Sequence, residues 1–222
     1  LTYPTIKPDI FICSARPEYE YVKSSYGHPT GVVKYTGLAR FDNLHSNVAK
    51  NQILIMPTFR KWLQGIGLNE FLISEYFIKW NAVLNSPELN FLLKENNLEL
   101  IFYPHYETQK YVSCFKSHSP YVKIADFAHY DVQKLLMESK ILVTDFSSVF
   151  FDFAYMRKPV IYYQFDRNRY IKDHYDFTKG YFDYDTMGFG EVVSSLSDLI
   201  NEIGVCINHN YKLEEKYNKE VD

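Results

Sequence analysis

The sequence predicts an α/β fold: a parallel sheet with helices on both faces. Three observations carry this expectation. Short apolar runs alternate with helix-patterned segments along most of the chain. The interiors of those runs hold almost no charge, as strands buried on both faces require. The runs end at prolines or polar turns, and in a parallel sheet the loops that follow them all lie on one edge, where ligands bind.

The elements follow in order. Residues 9–15 (DIFICSA) read as a strand and 17–26 as a helix with proline in its first turn. Residues 32–36 form a short strand, and 53–56 a buried strand stopped by Pro57. Residues 68–84 and 87–96 carry helical patterns, and 98–103 a strand stopped by Pro104. Residues 121–124 are a short strand and 132–139 a helix. The stretch 141–163 (ILVTDFSSVFFDFAYMRKPVIYY) reads as strand 141–144, a polar turn, a helix opening on Ser147 and Ser148, and strand 160–163. Residues 195–203 and 211–219 close the chain as helices.

Composition narrows the function classes. The 222 residues are 46% apolar and 23% charged, which suits a globular protein with a sizeable core. The net charge of -3 lacks the basic excess of a general nucleic-acid binder. Cys13, Cys114 and Cys206 lie far apart with no CxxC, so neither a zinc site nor a disulfide framework is expected, and a reducing cytoplasm fits. No apolar run reaches the ~20 residues that span a bilayer. Leu1 stands where an initiating methionine would, and a piece of a longer protein is expected. The aromatic share of 18% suits sugar or nucleoside pockets, although core packing accounts for most of such residues.

The expected sheet edge gathers chemistry. Thr58, Phe59 and Arg60 follow the strand at 53–56, and His105 follows the strand at 98–103. Asp126 follows 121–124, and Asp145, Ser147 and Ser148 follow 141–144. Asp166, Arg167 and Arg169 follow 160–163. Ser147 reads as a helix N-cap, and serine hydroxyls, free N–H groups and the helix dipole would together cradle a pyrophosphate. An ordinary capped helix reads equally well from this motif alone. Arg60 could grip a phosphate with two bonds or sit on the surface. His105 could donate to a phosphoryl oxygen, shuttle a proton, or act as a hydrogen-bonded loop residue. The aromatic, glycine-bearing loop 180–190 could close over a ligand or simply connect elements. Residues 62–80, rich in Trp, Phe, Ile and Leu, fit core packing better than an interfacial membrane helix. Nothing in the sequence requires a metal.

Taken in order, several motifs resemble the CDP-glycerol glycerophosphotransferase family of bacterial surface-polymer synthesis. They are Thr36-Gly37-Leu38-Ala39-Arg40-Phe41-Asp42, Met56-Pro57-Thr58-Phe59-Arg60, Tyr103-Pro104-His105, Thr144-Asp145-Phe146-Ser147-Ser148, Phe151-Asp152-Phe153, Lys158-Pro159 and Gly180-Tyr181-Phe182-Asp183-Tyr184. The resemblance implies the C-terminal, Rossmann-like donor domain of a GT-B architecture over residues 49–222, with 1–48 a remnant of the N-terminal domain and the crossover. It implies transfer of glycerol phosphate or another alditol phosphate from CDP-glycerol or CDP-ribitol to a hydroxyl of a lipid-linked polymer such as teichoic acid or capsule. Location at the cytoplasmic face of the plasma membrane, with peripheral attachment, comes with it. No cofactor is expected.

In that scheme His105 and Arg60 are the catalytic candidates. Ser147, Ser148, Asp145 and Arg60 would hold the donor phosphates. Arg40, Thr58, Gly180 and Tyr181 are further donor or lid candidates. Two departures stand out. The family's His-Gly motif, source of a candidate base, has no match before Asp9, and His28 is followed by Pro29. Tyr103-Pro104 precedes His105, where many relatives carry a basic residue shortly before the histidine. The chain is therefore expected to hold the donor without the group that activates the acceptor. A GT-B glycosyltransferase using a nucleotide sugar and a non-catalytic nucleotide-binding module remain as alternatives.

Overall fold

The computed structural model describes residues 2–44, 49–174 and 180–221. Its main body is a six-stranded, all-parallel sheet with helices on both faces, as the sequence predicts. The strands are β3 (Gln52–Met56), β4 (Glu99–Phe102), β5 (Val122–Ile124), β6 (Ile141–Thr144), β7 (Val160–Tyr163) and β8 (Val192–Val193). Two earlier strands, β1 (Phe11–Cys13) and β2 (Val33–Tyr35), form a separate parallel pair bridged by helix α1 (Arg16–Ser25). Cys13, Val22 and Val33 make the small core of that unit. The expected boundary between two domains at residues 48 and 49 falls at residues 45–48, outside the described residues.

The spatial order β5-β4-β3-β6-β7-β8 fixes where a ligand can sit. From β3 the chain winds outward through β4 to β5, then returns to the other side of β3 with β6. Strands β3 and β6 thus flank a topological switch point, and the loops after them diverge to open a crevice.

Side chains alternate along these strands with a period of two, so one strand feeds two cores. Ile53, Ile55, Leu100, Phe102, Ile141, Val143, Ile161 and Tyr163 point to one face. There they meet α2 (Leu68–Leu72), α3 (Glu75–Leu84), α4 (Pro87–Glu95) and α8 (Leu196–Asn208), with Trp80 fully buried at the centre. Leu54, Ile101, Leu142, Val160 and Tyr162 point to the other face, against α5 (Val132–Glu138) and α6 (Phe150–Tyr155).

The expected single helix over 68–84 is two helices. Ser74 breaks it by capping α3, accepting from the Phe77 amide at 3.2 Å. The apolar stretch 62–80 does bury Phe71, Tyr76 and Trp80, while Leu68, Ile73 and Ile78 face solvent. The last two helices differ from expectation at their ends: α8 runs on to Asn208, and α9 (Glu215–Val221) starts four residues later than expected from the sequence. A short helix, α7 (Arg167–Asp173), follows β7. Among the described residues no helix is long and apolar enough to cross a membrane.

Lys158 shows how tightly this scaffold is tied. Its ammonium is buried and donates to the carbonyls of Leu136, Met137 and Ser139, ending α5 where carbonyls lack helical partners. Burial lowers its pKa to about 8.

Candidate functional site

The loops after β3, β6 and β7 are joined at the switch point by a buried ion cluster. Arg60 is 1% exposed. Its Nε and Nη2 grip Asp166 in a two-pronged pair at 2.7 and 2.9 Å, and its Nη2 lies 2.8 Å from Asp145 Oδ2. Nη1 donates to the Thr58 carbonyl at 2.7 Å. The rings of Tyr76, Phe146, Phe165 and Tyr170 surround the guanidinium at 5.1–5.8 Å. The two carboxylates outweigh the cost of burial and hold the guanidinium charged. Arg60, a phosphate candidate in the sequence, is placed inside the protein with Nε and Nη2 bonded to Asp166 and Nη1 to Thr58, so it is not a surface arginine.

Asp145 organises the turn after β6. Its Oδ1 accepts from the Thr58 amide at 2.8 Å, bridging the switch point, and from the Phe146 amide at 2.6 Å. Gln164, at the end of β7, donates to the Asp145 carbonyl at 2.8 Å. With Asp145 taking Phe146, the next three amides, of Ser147, Ser148 and Val149, donate to no acceptor among the described residues.

The expected helix start needs correcting too. Helix α6 begins at Phe150, and Ser147 is not its N-cap; Val149 is, with no side-chain cap. The carbonyls of Ser147 and Ser148 instead accept from Phe150 and Phe151 three residues on, so a tight turn precedes the helix. Ser147 is half-buried and Ser148 exposed. Two hydroxyls and three open amides therefore stand together on the rim, a set of donors that suits an anion.

His105 lies at the end of β4, half-buried, its ring centroid 4.8 Å from that of Phe59. Its Nδ1 accepts from the Glu107 amide at 3.2 Å, so the neutral ring carries its proton on Nε2. Burial lowers its pKa, against the raising effect of Glu107 and Asp145. At neutral pH the ring is an Nε2–H donor. Thr58 is buried, and its hydroxyl has no hydrogen-bond partner among the described residues.

The remaining candidates lie elsewhere. Arg40 pairs with the buried Asp152 on α6 at 3.0 Å. Burial raises the Asp152 pKa, and Arg40 opposes that rise. Tyr181 packs on Tyr21 of α1 at 5.8 Å, and Gly180 lines the same crevice. Both face the small N-terminal unit. Tyr184, further along that loop, stands edge-on to Phe146 at 6.0 Å, and Arg167 anchors the loop through two 2.8 Å bonds to Asp185. Residues 36–39, Phe41, Asp42, Ser14 and three residues of α6 (Phe151, Ala154 and Tyr155) line a cleft of about 650 Å³.

Sequence reasoning passed over His174. It is 1% exposed at the end of α7, stacked on Tyr170 at 4.2 Å and edge-on to Phe59 at 5.0 Å. Its Nδ1 accepts from the Lys61 amide at 3.2 Å. Burial, then Arg60 and Lys61, lower its pKa to about 4. A histidine with a depressed native pKa resists protonation that the unfolded chain accepts near pH ~6.5. Its stabilising contribution is therefore full above pH ~6.5 and falls away as pH drops towards 4, by a few kcal/mol. Urea unfolding at pH 7.5 and 5 measures this, and His174→Gln flattens the difference between the two.

Comparisons with known proteins agree with this architecture. Minor teichoic acid biosynthesis protein GgaB of Bacillus subtilis (strain 168) is 38% identical over 223 residues, covering 96% of this chain and 24% of that protein. The teichoic acid poly(glycerol phosphate) polymerase of Bacillus spizizenii (strain ATCC 23059 / NRRL B-14472 / W23) is 32% identical over 177 residues, 78% of this chain and 40% of that protein. A solved structure of the wall teichoic acid polymerase TagF superimposes with a TM-score of 0.69 at 19% identity, over 96% of this chain and 52% of that one. The chain thus spans between a quarter and a half of the length of these relatives. Residues 9–222 match the family described as CDP-Glycerol:Poly(glycerophosphate) glycerophosphotransferase, and the chain belongs to that family.

Proposed function

We propose that the chain is the donor-binding half of a transferase that moves glycerol phosphate, or another alditol phosphate, from a CDP-linked donor to a hydroxyl of a cell-surface polymer. The observation that carries this reading is the rim at the switch point. The open amides of Ser147, Ser148 and Val149 and the two serine hydroxyls offer donors to a diphosphate, and the His105 Nε2–H offers another.

In the reaction, an acceptor hydroxyl oxygen bonds to the distal phosphorus of the donor. The bond from that phosphorus to the bridging oxygen breaks, CMP leaves with the electron pair, and the hydroxyl proton passes to a base. Phosphoryl transfer asks chiefly for positioning and charge neutralisation. Ser147 and Ser148 hold the diphosphate, and His105 donates to an oxygen that gains charge. Asp145 keeps the amides open by taking Phe146, and Arg60 holds Asp145 in place. The base comes from the N-terminal half of a GT-B arrangement whose edge is residues 1–48, with residues 49–222 as the donor domain. The lipid-linked acceptor places the protein at the cytoplasmic face of the membrane as a peripheral partner.

Calorimetric titration tests the site. The whole chain binds CDP-glycerol, and Ser147→Ala/Ser148→Ala weakens that binding about tenfold, the loss of two hydrogen bonds to a charged group being at least ~1.4 kcal/mol. UDP- or GDP-sugars binding more tightly than CDP-glycerol would instead support a sugar transferase.

A further inference from the structure

We propose that Arg40 and Asp152 form a positioning link that sets the N-terminal unit against α6, and so aligns the acceptor-activating half with the serine turn. This rests on the two-half reading above. Residues 38–44 follow β2 and include a short 3-10 helix (Ala39–Asn43). Among the described residues the backbone bonds of this stretch are local: Phe41 donates to the Leu38 carbonyl and Leu44 to that of Phe41, each at 2.9 Å. Gly37 turns the chain ahead of it at φ +77°, a conformation that glycine adopts without strain. Local bonds and a glycine turn do not fix a direction by themselves, so the side chains carry that task.

Two of those side chains land on α6. Arg40 Nη2 donates to Asp152 Oδ2 at 3.0 Å, across 112 positions of sequence. Phe41 stacks on Tyr155, with ring centroids 4.8 Å apart and 21° between the planes. Asp152 and Tyr155 are three residues apart and share one side of the helix. The Arg40 guanidinium lies 5.2 Å from the Phe41 ring, which joins the two contacts into one unit. The partners of the ion pair are unequal. Asp152 is 5% exposed, and a carboxylate so buried is costly unless paired. The Arg40 side chain is half-exposed, so water serves it equally well elsewhere. An apolar residue at position 152 would pack without that cost; the carboxylate instead specifies where the crossover docks.

The place of the link gives it a role in transfer. Asp152 lies four residues after Ser148, about one helical turn from the rim donors. Ser14 and Thr36, which follow β1 and β2, line the cleft of about 650 Å³ together with Phe151, Ala154 and Tyr155 of α6, and Phe41 is part of its wall. The link therefore sets the width of that cleft. Arg40 acts through Asp152 rather than by touching the donor.

Transfer by the full-length protein and calorimetric binding of CDP-glycerol to the chain together test the link. Arg40→Met and Asp152→Asn are each expected to lower kcat about tenfold while leaving donor affinity unchanged. The double variant is no slower than the slower single, because both substitutions remove one contact. Arg40→Lys recovers most of the rate, since the pair uses a single bond that an ammonium can make. Losses that multiply in the double variant, or a matching fall in donor affinity, overturn the link. Hydrogen exchange at the amides of residues 38–44 reads the link without catalysis. Exchange quickens in Arg40→Met and Asp152→Asn and returns towards the parent in Arg40→Lys; unchanged exchange overturns the link. A parent protein that transfers nothing from CDP-glycerol overturns the functional reading instead, and the exchange result still decides the link.

Discussion

Arg60→Met lowers the stability of the chain by about 3–5 kcal/mol, because it leaves two buried carboxylates without their counter-charge. Asp145 is fully buried and Asp166 is 7% exposed, so neither reaches enough water to make up the loss. The effect extends beyond stability. Arg60 reaches Asp166 across 106 positions of sequence and lies against Asp145, and Asp145 holds the Thr58 and Phe146 amides. Without it the serine turn loses its fixed shape, and donor affinity falls with it. Arg60→Lys recovers little, since a single ammonium cannot reproduce the two-pronged pair. The triple variant Arg60→Met/Asp145→Asn/Asp166→Asn regains part of the stability, because the cluster then holds no buried charge. Urea unfolding of the four proteins gives this order; equal stability of Arg60→Met and the parent would dismiss the ion cluster as the support of the site.

His105→Ala reduces transfer from CDP-glycerol by about 10²–10³ in the full-length protein, the usual cost of removing one donor aimed at developing charge. Its melting temperature stays close to that of the parent, because the ring is half-buried and its bond to Glu107 is local. His105→Gln separates the chemical roles. A glutamine amide N–H reaches about as far as Nε2–H and can donate, but it cannot accept a proton at neutral pH. A donor role predicts that His105→Gln is faster than His105→Ala by about tenfold. A proton-accepting role predicts that both are equally slow.

The sheet was legible because its strands are short, nearly charge-free and punctuated. Strands β6 and β7 match their expected limits, bounded by Asp145 on one side and Pro159 on the other. Strand β8, two residues long, gave too little pattern to detect. The break between α2 and α3 carried a signal, Ser74 followed by Glu75 and aromatic residues, which is how an N-cap reads.

The rim was legible in its membership and less so in its geometry. Prolines and polar turns after apolar runs place His105, Asp145 and the serines on one edge. Nothing local reveals that Arg60 turns inward. Its neighbours Phe59 and Lys61 give no hint, because the aromatic cage comes from Tyr76, Phe146, Phe165 and Tyr170 and its partners from β6 and β7. His174 escaped for the same reason: its burial is a property of packing against Phe59 and Tyr170. The start of α6 was misplaced because serines also open tight turns, and here the turn takes two residues that a capped helix would have used.

The most direct test of the donor site is a crystal structure of the chain soaked with CDP-glycerol. The account predicts diphosphate oxygens within hydrogen-bond distance of the Ser147, Ser148 and Val149 amides and of His105 Nε2, with Arg60 still enclosed by Asp145 and Asp166. A diphosphate bound away from the serine turn, or held directly by Arg60, would contradict it.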